Sequence, residues 1–280
     1  MHRKTINLAG QIVDLTTPAV MGILNITPDS FHAGSRFRPD SNEMVDTAGQ
    51  MLADGATFLD IGGYSTRPGA TDVSEAEEWD RVGPVIGKLV ATFPGVRLSI
   101  DTFRSGVARR AVQAGACLIN DVSGGNLDAQ MFQTVAELGV PYVLMHMRGT
   151  PQTMTKLTAY QNLVPDVLQE LQAKLRILRR LGVADVVVDP GFGFAKTVPQ
   201  NFTLLNALES FHQLDAPLLV GLSRKSMIWR TLGITTAGAL NGTTVLNTLA
   251  LQKGVSILRV HDVKPACEAI KLWQLTRGEV

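Results

Sequence analysis

Short runs of Val, Ile and Leu alternate along the chain with longer amphipathic stretches, and this pattern predicts parallel strands separated by helices. Eight runs have the length and composition of buried strands, and each is followed by a helical pattern. They cover residues 19–24, 57–62, 96–100, 117–121, 141–146, 185–189, 217–221 and 256–261. Eight repeats of strand and helix favour an α/β fold of the closed (β/α)₈ TIM barrel type over an open doubly wound sheet.

The rest of the chain fits the same architecture. Residues 3–15 form two short alternating runs around Ala9 and Gly10, which predicts a β-hairpin that caps the bottom of the barrel ahead of its first strand. The sequence shows no linker, repeat or low-complexity segment. We therefore expect residues 1–280 to form a single domain.

Polar residues interrupt the apolar runs near the ends of the predicted strands. They include Asn25, Asp60, Asp101, Asn120 and Asp189. Each of them alone is explained about equally well as an N-cap of the next helix. Their recurrence is harder to explain in that way, because a buried carboxylate or amide is costly unless it meets a ligand, a cation or another partner. Since the carboxyl ends of the strands meet at one edge, we expect these side chains to converge on one pocket.

The residue types indicate what this pocket could bind. Carboxylates and amides suit a flat heterocycle, since an Asp can accept a pair of parallel hydrogen bonds from an amidine-like edge. Lys225, Arg259 and His261 come from the region of the last two predicted strands and suit a cluster of anionic oxygens. Two alternatives stay open. Arg259 and His261 could pair with Asp262 or a neighbouring helix, and residues 223–226 could be a solvated helix start with Ser223 as its N-cap.

The composition narrows the choice of partner. Hydrophobic residues make up 45% of the chain, charged residues 18%, and the formal net charge is +1, so nothing indicates disorder, a nucleic-acid surface or a polybasic membrane patch. The two cysteines are too few for a disulfide framework or a zinc site. The N-terminus lacks an apolar signal segment and no stretch is long enough to span a bilayer, so we expect a cytoplasmic protein with small-molecule partners.

Metal binding is a separate question. His146 and His261 could assemble a metal site with the carboxylates, but no HExxH or paired-Cys spacing supports tight binding of a transition metal. An Mg²⁺ ion that bridges Asn25 and the phosphate oxygens of a substrate fits better, because Mg²⁺ keeps most of its waters and takes few protein ligands.

An ordered set of motifs connects the chain with a known family. In chain order they are MGILNITPDSF, DIGGYSTRPGA, SIDTFRSGVARRAVQAGACLINDVSGG, LMHMRGTPQTM, DPGFGFAKT, LVGLSRKS and QKGVSILRVHDV. Through these motifs, which span residues 21 to 263, the chain resembles the dihydropteroate synthases, folate-pathway enzymes that are the targets of sulfonamide drugs. The resemblance implies that the amine of p-aminobenzoate displaces pyrophosphate from 6-hydroxymethyl-7,8-dihydropterin pyrophosphate and gives 7,8-dihydropteroate.

The resemblance also implies roles for individual residues. The side chains expected to hold the pterin ring are those of Asp101, Asn120, Asp189 and Lys225, and the residues expected to line its slot are Met145, Phe194 and Gly221. The residues expected to face the pyrophosphate and its Mg²⁺ are Asn25, Arg259 and His261. Asp60 and Asp101 are expected to favour the positive charge that develops on the pterin.

The second substrate is expected to lie under two loops that follow the first two barrel strands. The residues implied for p-aminobenzoate are Phe31, Thr66, Arg67, Pro68, Phe192 and Ser226. The predicted catalytic residues are Asp101, Lys225, Arg259, His261 and Arg67. At Tyr64 the chain departs from the family, many of whose members have Glu or Gln there, and we expect this change to alter only the packing of the loop.

Two rival functions share the pterin residues. One is a pterin-dependent methyltransferase that passes a methyl group to a corrinoid, and STRPGA and SRKS argue against it because they would serve a second aromatic substrate and pyrophosphate. The other is a catalytically inactive pterin-binding homologue, which would be expected to have lost Asn25, Lys225, Arg259 or the pair Thr66 and Arg67, and the sequence retains all of them. The family resemblance further implies a homodimer formed through late helices such as 240–252 and 264–276.

Overall fold

Parallel strands dominate the structure, a computed structural model that describes residues 4–8, 10–26, 43–65 and 72–278. The strands are β1 (Thr5–Leu8), β2 (Gln11–Asp14), β3 (Ala19–Asn25), β4 (Phe58–Gly62), β5 (Leu98–Asp101), β6 (Leu118–Asp121), β7 (Tyr142–Met145), β8 (Val186–Asp189), β9 (Leu219–Val220) and β10 (Ile257–Val260). The order in the large sheet is β8-β7-β6-β5-β4-β3-β10-β9. A parallel bridge between Val188 and Leu218 joins the two ends of this order, which confirms the predicted (β/α)₈ barrel.

Helices follow the barrel strands, as the sequence predicted. In the described residues they are α1 (Glu43–Ala53), α2 (Glu75–Thr92), α3 (Ser105–Gln113), α4 (Met131–Leu138), α5 (Leu163–Arg180), α6 (Val198–Asn206), α7 (Ser226–Leu232), α8 (Leu240–Gln252) and α9 (Val263–Thr276). Capping boxes begin two of them, with Ser74 and Glu77 at α2 and Thr197 and Gln200 at α6. None of the described helices has both the length and the apolar character needed to cross a membrane.

The strand prediction is least accurate at β9. The apolar run 217–221 predicts a five-residue strand, but only Leu219 and Val220 form regular ladder pairs. Pro217 has no N–H to donate. At the other end, Gly221 and Leu222 lead into a turn that is closed by a hydrogen bond of 3.2 Å from the Lys225 N–H to the Leu222 carbonyl.

The N-terminal hairpin closes the bottom of the barrel, which confirms that prediction. β1 and β2 pair antiparallel, and their buried side chains pack in one cluster with the inward-facing residues at the amino ends of the barrel strands. The hairpin contributes Ile6, Leu8, Val13 and Leu15, and the barrel contributes Ala19, Met21, Phe58, Leu118, Val143, Val187, Leu219 and Ile257. We call this cluster the barrel plug.

Strand alternation places the polar residues directly above the barrel plug. Successive side chains of a strand point to opposite faces, so the residue two positions after each plug residue faces the interior again. For the plug residues Phe58, Leu118, Val143, Val187, Leu219 and Ile257, these next interior positions are Asp60, Asn120, Met145, Asp189, Gly221 and Arg259. The residues between them, such as Leu59 and Ile119, belong to the larger core under the helices. The fold therefore changes from apolar to polar within one level of the barrel.

Candidate active site at the carboxyl ends of the barrel strands

A cluster of two carboxylates, one guanidinium and one amide lies at the centre of the polar level. Arg259 donates from Nε to Asp60 Oδ2 at 2.6 Å and from Nη2 to Asp101 Oδ2 at 2.6 Å. Asn120 donates from Nδ2 to the same Asp60 oxygen at 2.9 Å. Burial raises the pKa of Asp101, although the neighbouring Arg259 opposes the shift. Asp60, Asp101 and Arg259 thus form one ion-pair network in which a single cation serves two carboxylates.

The proposed pairing of Arg259 with Asp262 is wrong. Asp262 instead forms a two-bond ion pair with Arg224, whose Nε and Nη2 each lie 2.8 Å from one carboxylate oxygen. Arg224 also donates to the carbonyls of Thr236 and Ala237. Asp262 is therefore used to hold the segment before α8, and Arg259 is left to the barrel interior.

The proposed helix-cap role of Ser223 is also wrong. Ser223 is buried, and α7 begins at Ser226 with Lys225 as its N-cap residue. The Ser223 hydroxyl accepts from the backbone N–H of His261 at 3.2 Å and lies 3.0 Å from His261 Nδ1. The hydroxyl keeps its own proton, which it can donate to Nδ1 when that nitrogen carries none. Ser223 therefore orients the imidazole of His261 at the end of β10.

Asp189 and Lys225 form the second part of the polar level. Asp189 is buried, and its Oδ1 accepts from the Gly191 N–H at 2.7 Å. Burial raises the pKa of Asp189, and the nearby Lys225 ammonium opposes this. Burial lowers the pKa of Lys225 to about 8, with Asp189 opposing. The two groups are therefore an acceptor and a donor of opposite charge that face the same space.

A slot with polar edges and an apolar wall lies beside Lys225. The Lys225 ammonium donates to the Phe192 carbonyl and lies 4.8 Å from the centroid of the Phe194 ring. A Cβ added to Gly221 would lie 3.7 Å from Lys225 Nζ and 4.0 Å from the Cβ of Arg259, so the glycine leaves room between the two cations. The apolar wall is the cluster of Val122, Met145, Met147, Met154 and Ala195, against which Phe103, Leu127 and Phe194 pack. Such a slot fits a flat ring that carries hydrogen-bonding groups on its edges.

Phe192 contributes its backbone and not its ring. The side chain is fully buried in the large core under the helices, so it would have to leave that core to touch a substrate. The Phe192 carbonyl, in contrast, is the acceptor of the Lys225 ammonium. The other residue expected near p-aminobenzoate in the described part of the chain, Ser226, is the first residue of α7.

Side-chain oxygen atoms of Asn25 and Asp101 lie on either side of Gly62. Asn25 pairs in register with Gly62, and Gly62 with Asp101. A Cβ at Gly62 would lie 3.6 Å from Asn25 Oδ1 and 3.7 Å from Asp101 Oδ2. Within the described ranges, no group of three or more His, Cys, Asp or Glu side chains could hold a metal ion. The oxygen donors of Asn25 and Asp101 suit a hard ion such as Mg²⁺, which takes few protein ligands.

His146, the other histidine considered as a metal ligand, is occupied by protein groups. Its Nε2 lies 3.0 Å from Glu170 Oε2, and its Nδ1 lies 3.0 Å from Lys196 Nζ. The remaining predicted residues Phe31, Thr66, Arg67 and Pro68 lie outside the described residues. The predictions for them stay predictions.

Tyr64 is packed against the loop that follows β5. Its ring meets Phe103 edge-on at 4.9 Å between centroids, and its hydroxyl accepts from Gln152 Nε2 at 3.1 Å. The guanidinium of Arg104 lies 5.3 Å from the Tyr64 ring and pairs with the buried carboxylate of Glu78. Tyr64 therefore packs between the loops after β5 and β7, and the effect of this departure from the family stays a prediction.

Sequence reasoning missed Lys196 and the orienting role of Ser223. Both lie inside quoted motifs, Lys196 in DPGFGFAKT and Ser223 in LVGLSRKS. A lysine that follows a loop of glycine, phenylalanine and alanine was a usable signal, because a buried ammonium needs acceptors. Their partners come from distant parts of the chain and could not be found from spacing.

Comparison with known proteins agrees with the geometry. The family described as pterin binding enzyme matches residues 21–261. Dihydropteroate synthase of Escherichia coli (strain K12) is 39% identical over 272 residues, which cover 95% of this chain and 94% of the relative. The crystal structure of Yersinia pestis dihydropteroate synthase with a sulfonamide drug has a TM-score of 0.92 at 40% identity, covering 98% of this chain and 99% of that one. The Xanthomonas albilineans dihydropteroate synthase with 4-aminobenzoic acid has a TM-score of 0.90 at 39% identity, covering 98% of both chains.

Proposed function

The chain belongs to the dihydropteroate synthases, a family of pterin-binding transferases, and we propose that the pocket described above is where its two substrates condense. The reaction joins 6-hydroxymethyl-7,8-dihydropterin pyrophosphate to p-aminobenzoate and gives 7,8-dihydropteroate and pyrophosphate. The observation that carries the assignment of the site is the change from the apolar barrel plug to the level that contains Asp60, Asn120, Asp189 and Arg259. A pocket of this kind can bind a polar ring through hydrogen bonds while it excludes most water from the ring.

We assign the pterin ring to the slot between Asp189 and Asn120. The 2-amino group and the neighbouring ring N–H of a pterin form an amidine-like edge, and a carboxylate accepts from two such donors in parallel. Asp189 supplies that carboxylate, because Gly191 uses only its Oδ1. Lys225 donates to acceptors of the ring, while Met145 and Phe194 provide the apolar wall.

The reaction needs little covalent chemistry from the protein. The amine nitrogen of p-aminobenzoate forms a bond to the methylene carbon as the bond from that carbon to the pyrophosphate oxygen breaks, and the amine proton is released. Positive charge on the pterin grows before the new bond is complete. We propose that Asp60 and Asp101, which both accept from Arg259, lie near this position and favour that charge electrostatically. We propose that Arg259 Nη1 and His261 face the leaving group and Arg67 encloses the second substrate.

Mg²⁺ is proposed as a cofactor that is bound mainly through the substrate. Asn25 Oδ1 would be its protein ligand, next to the oxygen of Asp101 across Gly62. The ion would neutralise charge on the pyrophosphate as it leaves. Its weak protein ligation agrees with the absence of a three-ligand cluster among the described residues.

The first prediction is turnover itself. Protein mixed with 6-hydroxymethyl-7,8-dihydropterin pyrophosphate, p-aminobenzoate and Mg²⁺ is expected to release one pyrophosphate for each dihydropteroate formed, measured by coupled phosphate detection and chromatography. Omission of p-aminobenzoate is the control and should abolish both products, and chelation of Mg²⁺ should slow the reaction. Binding of pterin without turnover would identify an inactive homologue. Methyl transfer to a corrinoid would identify the methyltransferase.

We further propose that the protein forms a homodimer through α8 and α9. These helices expose apolar side chains that belong to no described core, namely Leu240, Val245, Leu249, Leu272 and Leu275. A groove of about 810 Å³ runs between the two helices and includes Leu272 and Trp273. The Trp273 Nε1 is buried and has no hydrogen-bond partner among the described residues. An apolar face of this kind is typical of a surface that packs against a second copy.

The second prediction tests the homodimer. Leu249→Glu and Leu272→Glu place charges on side chains that are 47% and 66% exposed, and they are expected to convert the dimer to a monomer in light scattering coupled to gel filtration. Ile177→Glu on α5 is the matched control, because Ile177 is also 47% exposed but lies on another helix. If Leu249→Glu and Leu272→Glu both remain dimeric, the interface must lie on another surface. If the wild type is a monomer, the proposal is wrong.

A further inference from the structure

Lys196 is a buried cation outside the contacts assigned to substrate. Its ammonium lies 3.0 Å from the Gly191 carbonyl, 3.0 Å from the Phe194 carbonyl and 3.0 Å from His146 Nδ1. An ammonium has three N–H donors and no acceptor, so these three contacts use its full capacity if His146 Nδ1 carries no proton. Burying such a group requires this degree of satisfaction.

The contact with His146 continues into a directed chain of hydrogen bonds. Burial lowers the pKa of His146 to about 4, so the imidazole is neutral and Nδ1 can accept from Lys196. The ring proton then lies on Nε2, which is 3.0 Å from Glu170 Oε2. The other oxygen of Glu170 accepts from Arg148 Nε at 3.0 Å and from Nη2 at 2.5 Å. One chain therefore joins the loop after β8 to the loop after β7 and to α5.

The loop held by Lys196 is the one that forms the ring slot. Residues 191–195 contain three left-handed positions, Gly191 at φ +73°, Gly193 at φ +81° and Ala195 at φ +50°. The alanine is strained in that conformation, so the loop depends on contacts that hold it. Those contacts come from side chains: Lys196 binds two carbonyls, Tyr160 donates to the Ala195 carbonyl at 2.9 Å, and Asn201 accepts from the Gly193 N–H at 2.7 Å.

Two lysines divide the carbonyls of this loop between them. The carbonyls of Gly191 and Phe194 accept from Lys196, and the carbonyl of Phe192 accepts from Lys225. Lys196 therefore holds the loop on either side of the Phe192 carbonyl, which itself faces Lys225. A Cβ at Gly191 would stand 2.0 Å from the His146 carbonyl, so the loop also has no room to shift towards β7.

We propose that Lys196 is a positioning residue for the pterin slot, acting through the loop carbonyls and supported by His146 and Glu170. By holding the loop, Lys196 fixes the Phe192 carbonyl, which orients the Lys225 ammonium. It also fixes the Phe194 ring, which lies next to that ammonium. The proposal rests on the assignment of Lys225 and Phe194 to the pterin slot. It goes beyond that assignment because Lys196 itself touches no substrate and none of the reacting atoms.

The hold of Lys196 on the loop depends on the protonation of its ammonium. Burial lowers the pKa of Lys196 to about 7, and Asp189 opposes the shift. The other charged groups that face it are Lys225, Glu170 and Arg148. A raised pH removes the proton that serves one of its three acceptors, because the lowered pKa places this loss near neutrality. The loop should therefore be held less firmly above pH 7 than below it.

The test separates positioning from general stability. In Lys196→Met, the Kd of 6-hydroxymethylpterin measured by calorimetry at pH 6.5 is expected to rise about tenfold, the loss of one charge-assisted hydrogen bond. At saturating pterin pyrophosphate, the KM for p-aminobenzoate should stay within about twofold. Lys174→Met is the control for charge alone: the Lys174 ammonium interacts with the charge of Glu170 and donates to the Ser123 carbonyl, but it donates to no carbonyl of this loop. That control should leave the pterin Kd unchanged.

A second variant keeps the proposal testable if Lys196→Met fails to fold. His146→Leu removes the third acceptor without burying a new charge, and it should also raise the pterin Kd, whereas His146→Gln, which can both accept and donate, should restore most of the affinity. In the double variant, the two effects should not add, because both residues act through one chain. Wild-type affinity should fall as the pH rises from 6 to 8, and this fall should be smaller in Lys196→Met.

Three results would overturn the proposal. The first is an unchanged pterin Kd in a folded Lys196→Met protein. The second is an equal loss of affinity for pterin and for p-aminobenzoate that follows the fall in melting temperature. The third is a change in pterin Kd in the double variant that equals the sum of the changes in Lys196→Met and His146→Leu. If turnover is absent in the wild type but the pterin Kd still rises in Lys196→Met, the proposed function fails and the positioning role remains.

Discussion

Replacing Arg259 with methionine is expected to lower the free energy of unfolding by about 3–5 kcal/mol at pH 7, which is the usual cost of leaving a buried carboxylate without its partner. Arg259 is the cation shared by Asp60 and Asp101, with both contacts at 2.6 Å. Asp60 is fully buried, and the side chain of Asp101 is only 14% exposed, so water cannot replace the guanidinium. Urea denaturation followed by circular dichroism measures the loss.

The loss should grow with pH, and the sign follows from Asp101. Burial raises the pKa of Asp101 in the folded protein above its value in the unfolded chain, and removal of Arg259 takes away the main charge that opposes that shift. A group with a raised pKa favours the folded state at low pH, where it is protonated, and opposes it once the pH passes the unfolded value near 4. Arg259→Met should therefore cost less at pH 4.5 than at pH 8.

Arg109→Met is the matched control. Arg109 also forms an ion pair at 2.6 Å, with Glu137, but the two side chains are 41% and 47% exposed. Removal of that surface pair should cost no more than about 1 kcal/mol at any pH. Adding Asp60→Asn to Arg259→Met should recover part of the stability, because one of the two stranded carboxylates is then neutral. Equal losses in the Arg259 and Arg109 variants would contradict the shared-cation interpretation.

The positions of the strands could be predicted from sequence because burial on both faces leaves a local signature. The runs 19–24 and 185–189 agree with β3 and β8 to within one residue at each end. The convergence of Asp60, Asn120 and Asp189 was also predictable, since each is the last inward-facing polar position of its strand. Alternation along a strand and closure of the sheet are enough to bring such residues together.

The sequence did not predict which side chains pair with each other within the site. Asp262 lies three positions from Arg259 in the sequence, but Arg259 is paired with Asp60, which is 199 positions away. The barrel closes β10 against β3 and places β4 next to β3, so the choice of partner depends on curvature and not on spacing. The position of Phe192 illustrates the same limit: a phenylalanine between two glycines of a loop suggests exposure, but the left-handed glycines turn its ring into the core.

The other large expected effect is the loss of pterin binding in Asp189→Asn. Asp189 Oδ1 already accepts from the Gly191 N–H at 2.7 Å, so an asparagine would turn its own carbonyl oxygen towards that N–H. Its amide NH₂ would then face the ring, and it would present donors where the two ring N–H groups need acceptors. When a buried donor faces another donor, both lose their hydrogen bonds to water and gain none in return, so binding is strongly weakened. We expect the Kd of 6-hydroxymethylpterin to rise about 10³-fold.

Asp121→Asn separates this effect from the cost of changing any buried aspartate. Asp121 is also fully buried, and it accepts from the N–H groups of Ser123 and Gly125 and from the Tyr142 hydroxyl, at 2.7 to 2.8 Å. Tyr142 belongs to the core under the helices, so Asp121 faces away from the barrel interior. Its replacement should lower the melting temperature while the pterin Kd of the folded fraction changes by less than about threefold. If calorimetry instead showed similar pterin affinities for wild type and Asp189→Asn, the ring would have to bind through Asp101 and Asn120, and the orientation of the pterin in the slot would be reversed.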